Sequence, residues 1–549
     1  MNICHFFRYR TNTMLKILKT LAFACFCSIL CFGCNPKQTL SLEEKVGQLL
    51  MVQFHGEVAN EDARTLIQDT KVGGIIYYDW ANGLNSPQQV KTLSTSLQEL
   101  TKSNPNPIPL LIAVDQEGGV VARLKKGFTK FPGNKALGET GDPQLARSAA
   151  LAMGQELLAV GINMNLAPVV DVNSNPRNPV IGVRSFGENP EAVIAFGQNA
   201  LNGYKEAQII ATLKHFPGHG DVSVDSHEDL PIIDKPIEKL QQVELLPFSK
   251  LADSTDAIMT AHILVPALDK DNCSTLSKKT LDYLKNKIGF KGVIVSDSLV
   301  MEGVVKKCHT VDEAAIQALE AGCDILILGG KLLSGEKAGL ELSVSNIQRI
   351  HGSIINAIKS GRISEVRINE AVEKILSLKT RYIVSKNNNT PLEEAINTVA
   401  HQAIAKEIAS RALKITKKEG KSICAIHEKK IVVFAPQLLK SNIDETSLLR
   451  IGRSTNSCFF NLNPSSVEIE TAKQCAKEAD VLFICSYNAW KNPSQTILIQ
   501  TLINTKKPVV LIVARDPLDA LLFTEADLIF RTFSPAAPSI QSVCDQLQK

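Results

Sequence analysis

The chain has 549 residues, a formal net charge of +4, 44% hydrophobic and 21% charged residues, which is a globular composition too long for one ordinary core. So small a positive balance, with no Lys/Arg stripe interleaved with aromatics, argues against a nucleic-acid partner.

The first element in chain order is a leader. Arg8, Arg10, Lys16 and Lys19 precede an apolar run from Leu21 to Phe32 that ends at Gly33–Cys34. A basic segment, a short apolar stretch and a small residue before the cut describe a secretory signal over residues 1–34. Cys34 after Gly33 has the look of a bacterial lipobox cysteine, lipidated as the first mature residue, although Cys31 stands where such a box usually carries Leu. A plain signal peptide or an uncleaved helix stays open, Met14 is an alternative start, and the run is short for a transmembrane span. The expectation is an exported protein, held by a lipid on Cys34 to a membrane on its periplasmic or cell-surface side. Five of the 13 cysteines (Cys4, Cys25, Cys27, Cys31 and Cys34) fall in this leader. The others, from Cys273 to Cys544, form no C-x-x-C pair, so zinc-ribbon and thioredoxin-like folds lose support. Cys323 and Cys485 lie in apolar runs and are expected to be buried free thiols, with no disulfide framework.

From Ser41 onward short apolar runs alternate with helix-like segments, as in βα units around a parallel sheet. Eight strands are predicted: Gln48–Phe54, Gly74–Tyr78, Pro109–Val114, Ile162–Val169, Ile209–Leu213, Ala257–His262, Gly292–Ser296 and Asp324–Leu328. Helical stretches such as Pro143–Leu158 and Pro190–Ala207 separate them. That count and spacing predict an α/β fold, a (β/α)8 TIM-like barrel over residues 41–384, closed by helices from about Val344 to Thr380. The Asn-rich segment Ser385–Thr390 reads as a linker. Beyond it, residues 391–549 carry strand candidates at Ile431–Ala435, Val481–Cys485, Val509–Ala514 and Leu528–Phe530, hence a smaller α/β sandwich domain.

Chemistry concentrates in the loops after the barrel strands, which in this fold converge on one mouth. The densest cluster is Lys214-His215-Phe216-Pro217-Gly218-His219-Gly220-Asp221, followed by Asp225-Ser226-His227. One reading makes His215, His219, Asp221 and His227 metal ligands, but Pro217 and Gly218 interrupt the helix that an i,i+4 His pair needs. In the other, Asp225 accepts a hydrogen bond from His227, fixes its tautomer and raises its basicity for proton transfer near neutral pH. A purely structural loop stays open. At Ser296-Asp297-Ser298, a carboxylate on the barrel mouth can attack an anomeric carbon and form a covalent glycosyl-enzyme, or simply cap a turn. Asp115-Gln116-Glu117-Gly118-Gly119 with Arg123 suits the hydroxyls of a sugar, or is a turn with a surface ion pair. It lacks the Gly-Lys-Ser/Thr of a P-loop and the G-x-G-x-x-G of a dinucleotide fold.

Taken together these segments resemble glycoside hydrolase family 3, and within it the NagZ-like β-N-acetylglucosaminidases. The resemblance runs from about Ser41 to Thr380 through Glu44–Gln48, Val114–Gly119, Val183-Arg184-Ser185-Phe186-Gly187, Lys214–His227 and Ser296–Leu299. It implies Asp297 as nucleophile, His227 as general acid/base oriented by Asp225, and Asp115, Arg123, Arg184, Lys214 and His215 as the grip on N-acetylglucosamine (GlcNAc). It also implies retention of the β configuration, no cofactor and no metal, with GlcNAc-containing peptidoglycan fragments as substrate for a monomeric enzyme. His219 and Asp221 are left to hold the loop. An imidazole acid/base does not repel an anion as a carboxylate would, so phosphorolysis stays open. So do a β-glucosidase or β-xylosidase and a non-catalytic cell-wall-binding lipoprotein.

Overall fold

Runs of Val, Ile, Leu and Ala too short for a helix become the strands of one parallel sheet. The computed structural model describes residues 40–223, 230–331, 339, 341–384, 390–417 and 425–548. In it the strands of the eight-stranded sheet are β1 Leu50–Val52, β2 Gly74–Tyr77, β3 Leu111–Val114, β4 Met164–Asn165, β5 Ile210–Phe216, β6 Ala257–Thr260, β7 Val293–Val295 and β8 Leu326–Leu328, with a separate short hairpin, Gln116–Gly118 and Val121–Ala122, after β3. Each of the eight falls on one of the eight predicted runs. Their order, β8-β1-β2-β3-β4-β5-β6-β7, is that of a barrel, and a parallel bridge between Val295 and Ile325 carries β7 to β8. Every residue of these strands is buried, because helices cover the outside while side chains fill the inside. The covering helices start where the sequence places a capping residue before proline. Ser86, Asp142 and Asn189 accept hydrogen bonds from the backbone N–H groups of Gln89, Gln144 and Ala192, with Pro87, Pro143 and Pro190 at the first helical positions.

One boundary differs from expectation in a way that matters. The sequence reading ends the fifth strand at Leu213 and gives Lys214, His215 and Phe216 to a loop. The strand continues through all three, and each is buried. Charged residues enter a barrel interior only when paired, and their partners come from distant segments of the chain.

The C-terminal layer holds six strands: β9 Lys414–Lys417, β10 Lys430–Pro436, β11 Ser454–Phe460, β12 Val481–Ser486, β13 Val509–Val513 and β14 Leu528–Arg531, in the order β9-β14-β13-β12-β10-β11. Only β9 is antiparallel to its neighbour. Alternate strand residues pack on both faces: Val433, Phe483 and Ile512 against Ile540 and Val543, and Phe434, Ile484 and Leu511 against Leu498 and Leu502. The four predicted strands are the central ones. The two unpredicted strands, β9 and β11, lie on the edges, where polar residues are tolerated and the apolar signal is weak.

Leu42–Lys549 forms one compact unit, and its two layers are tied by polar contacts, buried at Glu156 and exposed at Glu445. Glu156 accepts hydrogen bonds from the Thr129 backbone and hydroxyl and from the Asn397 N–H, and lies 2.8 Å from His401 Nδ1. Lys130 reaches Glu445 at 2.6 Å. These contacts brace the segment just after Arg123. Cys323 and Cys485 are buried free thiols, and Cys273, Cys308, Cys458, Cys475 and Cys544 are also free. The five leader cysteines (Cys34 among them), Cys424 and residues 385–389 of the expected linker lie outside the described residues. Among the described residues no helix is long and apolar enough to cross a membrane.

At the opposite end of the barrel, fully buried Asp324 accepts from the Ile294 N–H at 2.9 Å, from Arg367 at 2.8 Å and from Lys374 at 3.1 Å. Asp324→Asn leaves two cations without their counter-ion and is expected to cost about 2–4 kcal/mol. Urea unfolding measures this, and a change below about 0.5 kcal/mol, ordinary for a surface site, would contradict it.

Candidate active site

Five strand ends deliver residues to the same mouth. Tyr78 and Trp80 follow β2, Asp115 follows β3, Lys214 and His215 end β5, Asp297 follows β7, and Gly330 and Lys331 follow β8. All of them, with Glu117, Arg123, Arg184 and His219, line one cavity of about 480 Å³, within the range of small-molecule sites. Among the residues named from sequence, Asp115, Arg123, Arg184, Lys214, His215 and Asp297 are thus brought together. Asp225 and His227 lie outside the described residues.

The most buried lining is a lattice of charges. Lys214 Nζ is 2.8 Å from Asp115 Oδ1 and 2.7 Å from Glu117 Oε1, and its side chain is 2% exposed. Arg184 grips Glu117 with two nitrogens, Nη2 at 2.8 Å and Nε at 3.0 Å. Arg123 approaches Asp115 at 3.7 Å and lies 5.6 Å from the Tyr78 ring centre. Burial pushes the Glu117 carboxyl up, but the Arg184 and Lys214 charges outweigh it and hold it well below the ordinary carboxylate range. Burial alone would lower Lys214, yet Asp115 and Glu117 raise it above its usual value. Both stay charged because each is the other's solvent.

His215 is oriented from behind. Its Nδ1 is 2.7 Å from Asp171 Oδ2 and its Nε2 is 3.3 Å from Arg184 Nη2. Guanidinium only donates, so Nε2 accepts, and the ring hydrogen sits on Nδ1, directed at Asp171. Asp171 Oδ1 also accepts the backbone N–H groups of His215 at 3.1 Å and His219 at 2.7 Å. His219 is buried edge-on to His215, with ring centres 5.9 Å apart. Burial pushes its ring down to about 4, so it is uncharged at neutral pH. Its carbonyl accepts from Asn178 at 2.7 Å, while Asp221 accepts from Ser174 at 3.2 Å and pairs with Lys235 at 2.8 Å. Both residues hold the loop. The glycines beside them have separate reasons. A side chain on Gly220 would put its Cβ 1.6 Å from the Val172 carbonyl oxygen, and Gly218 has φ +127°, a backbone conformation costly for other residues.

Asp297 stands on the cavity wall, its Oδ1 accepting the Ser298 N–H at 2.7 Å. The loop beneath it is stapled to β8: Ser298 Oγ donates to the Gly329 carbonyl at 2.5 Å and the Leu299 N–H to the Ile327 carbonyl at 2.9 Å. His262 Nε2 donates to the Ser298 carbonyl at 2.9 Å. Burial raises the Tyr78 hydroxyl far above its usual value, with Asp115 and Asp297 adding to the effect, so the hydroxyl stays protonated between the two carboxylates' fields. Glu117, Asp171, Tyr78, Trp80 and Lys331 have no individual task in the sequence. Glu117 is marked there only as part of the Asp115–Gly119 motif, and Asp171 only by the apolar run before it.

A parallel eight-stranded barrel with carboxylates and paired cations gathered at its mouth is a polar small-molecule pocket of the kind glycoside hydrolases build. The family profile described as the glycosyl hydrolase family 3 N-terminal domain matches residues 41–378, and the chain belongs to that family. A β-hexosaminidase A of Pseudoalteromonas piscicida is 32% identical over 415 residues, covering 69% of this chain and 68% of the relative. A β-hexosaminidase of Pseudomonas aeruginosa is 33% identical over 305 residues, 55% of this chain and 86% of the relative. The solved family 3 β-N-acetylglucosaminidase from Paenibacillus sp. str. FPU-7 superposes with a TM-score of 0.83 at 34% identity, covering 93% of this chain and 97% of that one.

Glu117 tests the lattice. Its folded carboxyl is depressed, so its contribution to stability is complete above the unfolded value of about 4.3 and is lost as pH falls toward the lower folded value. On acidification below about pH 5, wild-type stability is expected to fall more steeply than that of Glu117→Gln, and equal slopes in urea unfolding would contradict it. At neutral pH the same variant is expected to lose about 100-fold in kcat/KM for glycoside hydrolysis, because Arg184 and Lys214 lose their shared anchor.

Proposed function

We propose that the protein is a retaining exo-β-N-acetylglucosaminidase that removes terminal β-linked GlcNAc from peptidoglycan fragments. The observation that carries this is the cavity itself. Its most buried lining is a set of paired charges, Lys214 and Glu117 at 2% side-chain exposure with Asp115 at 16%, and Asp297 lines the same cavity, part-buried. Paired donors and acceptors of that kind suit the hydroxyls of a sugar, and the relatives named β-hexosaminidase point to an N-acetylated hexose.

In this reading Asp115, Lys214, Arg184, Arg123 and His215 hold the sugar hydroxyls. Asp297 attacks C1 from the face opposite the leaving oxygen, and a glycosyl ester forms as the glycosidic bond breaks. His227, oriented by Asp225, gives its proton to the leaving oxygen and then takes one from water. The water oxygen displaces Asp297 at C1, so two inversions return the β anomer. The basic leader and the Gly33–Cys34 junction support export and lipid anchoring through Cys34.

Asp297→Ala is expected to lower kcat on 4-nitrophenyl β-GlcNAc by at least about 10⁴-fold while the fold persists. Turnover at the wild-type rate contradicts the mechanism. His227→Ala is expected to lose about 10²–10⁴-fold on a disaccharide, whose leaving oxygen needs a proton, and far less on an aryl glycoside with a good leaving group. Equal losses on both would remove His227 as the acid. Digestion of muropeptides with and without phosphate, read by mass, distinguishes free GlcNAc from GlcNAc 1-phosphate. Cys34→Ser is expected to move the protein from the membrane fraction to the soluble fraction, and a variant still bound there contradicts the anchor.

A further inference from the structure

The described cysteines fall into two groups. Cys273, Cys308, Cys323, Cys485 and Cys544 are buried, and thiols so enclosed behave as small apolar side chains. Three of them donate to oxygen, Cys308 to Gln317 Oε1, Cys323 to the Thr275 carbonyl and Cys544 to the Ile540 carbonyl, each at 3.7 Å. Cys458 and Cys475 differ in both respects. Each is partly exposed, and the two thiols are hydrogen-bonded to each other.

Their places in the fold explain the meeting. Cys458 lies on β11, the outer strand of the C-terminal sheet, in register with Phe434 of β10. Register partners in a parallel sheet share a face, and Phe434 packs in the same core as Ala472 and Ala476 of the helix Ser466–Lys477. Cys458 therefore points toward that helix. Cys475, three residues after Ala472 and one before Ala476, stands at the margin of the helix's buried face, and both cysteines pack against that core. In the sheet β11 is hydrogen-bonded on one side only, to β10. An edge strand held so is where local opening starts most readily, and the two thiols bridge its contact with the helix. Burial pushes the Cys458 thiol up to about 12, with Cys475 and the Glu468 carboxylate adding to the effect. Cys458 so keeps its proton, and the first attack on an oxidant falls to Cys475.

We propose that Cys458 and Cys475 form a disulfide that fastens the edge strand β11 to the helix Ser466–Lys477 when the chain meets a disulfide oxidant. Cys475 loses its proton and attacks one sulfur of the oxidant, whose S–S bond breaks and releases a thiolate. Cys458 then loses its proton and attacks the Cys475 sulfur, expelling the second thiolate. Two thiols become one disulfide, and the oxidant takes up two electrons and two protons to become two thiols. No described residue of this layer lines the barrel cavity, so the inference stands apart from the glycosidase reading. Export, as proposed above, takes the chain to a compartment where thiols are not kept reduced, but the cross-link itself needs only the oxidant.

The test takes the full chain, reduces it, removes the reductant and exposes the folded protein to oxidised glutathione. Unfolding in an alkylating agent then caps every remaining thiol, and a tryptic digest without reduction is read by mass. Cleavage after Lys473 puts the two cysteines on separate peptides. The expected product is those two peptides joined, lighter than their sum by two hydrogens, with the five buried cysteines alkylated. In the cross-linked protein, hydrogen exchange at the β11 amides is expected to slow about 10-fold against the reduced protein. Cys475→Ser, treated alike, is expected to exchange as the reduced wild type does. Cys458 and Cys475 both alkylated, or each capped separately by glutathione, overturns the pairing. A cross-link that leaves exchange at β11 unchanged overturns the fastening. If Cys475→Ser does not fold, the wild type before and after oxidation decides alone.

Discussion

A lysine ammonium buried inside a barrel is the constraint on which the site depends. Lys214 cannot sit on β5 among apolar neighbours unless Asp115 and Glu117 come to it. Glu117 in turn is tolerable only because Arg184 completes its coordination. Each charge is present because of the others, so the lattice forms whole or fails. Its product is a polar surface already paid for in desolvation, with three cations against two carboxylates and Asp297 as the compensating third. A neutral polyol can bind such a surface by replacing weakly held water, and the charges need not reorganise when it does.

The rest of the chain serves that lattice at increasing distance. Asp171 turns His215 and, through two backbone hydrogen bonds, holds the bend after β5. The stapling of Ser298 and Leu299 to β8 fixes the direction of Asp297. Farther out, Glu156 and His401 clamp the C-terminal layer to the segment following Arg123. The second sheet therefore acts as a brace for one wall of the pocket, and nothing in its described residues reaches the cavity lining.

The barrel was legible in the sequence because its strands are buried on both faces, and continuous Val, Ile and Leu runs are a strong local signal. The edge strands β9 and β11 were not, since Thr416 in β9 and Ser454, Asn456 and Ser457 in β11 face water. The reach of β5 through Lys214 and His215 was hidden for a different reason. What permits charge in a strand is pairing with Asp115, Glu117 and Asp171, residues 44 to 99 positions away, and local composition carries no trace of it. The same distance concealed the tasks of Glu117 and Asp171.

The central claim is that Asp297 bonds to the sugar. An N-acetylated donor offers a competing route in which its own acetamide oxygen displaces the leaving group and no enzyme ester forms. A fluorinated GlcNAc donor with an activated leaving group slows breakdown of an ester more than its formation, so the two routes leave different masses. Peptide mapping by mass spectrometry is expected to find one sugar on the fragment containing Asp297. A label on another carboxylate, or turnover of the donor with no labelled protein at any time, would contradict it.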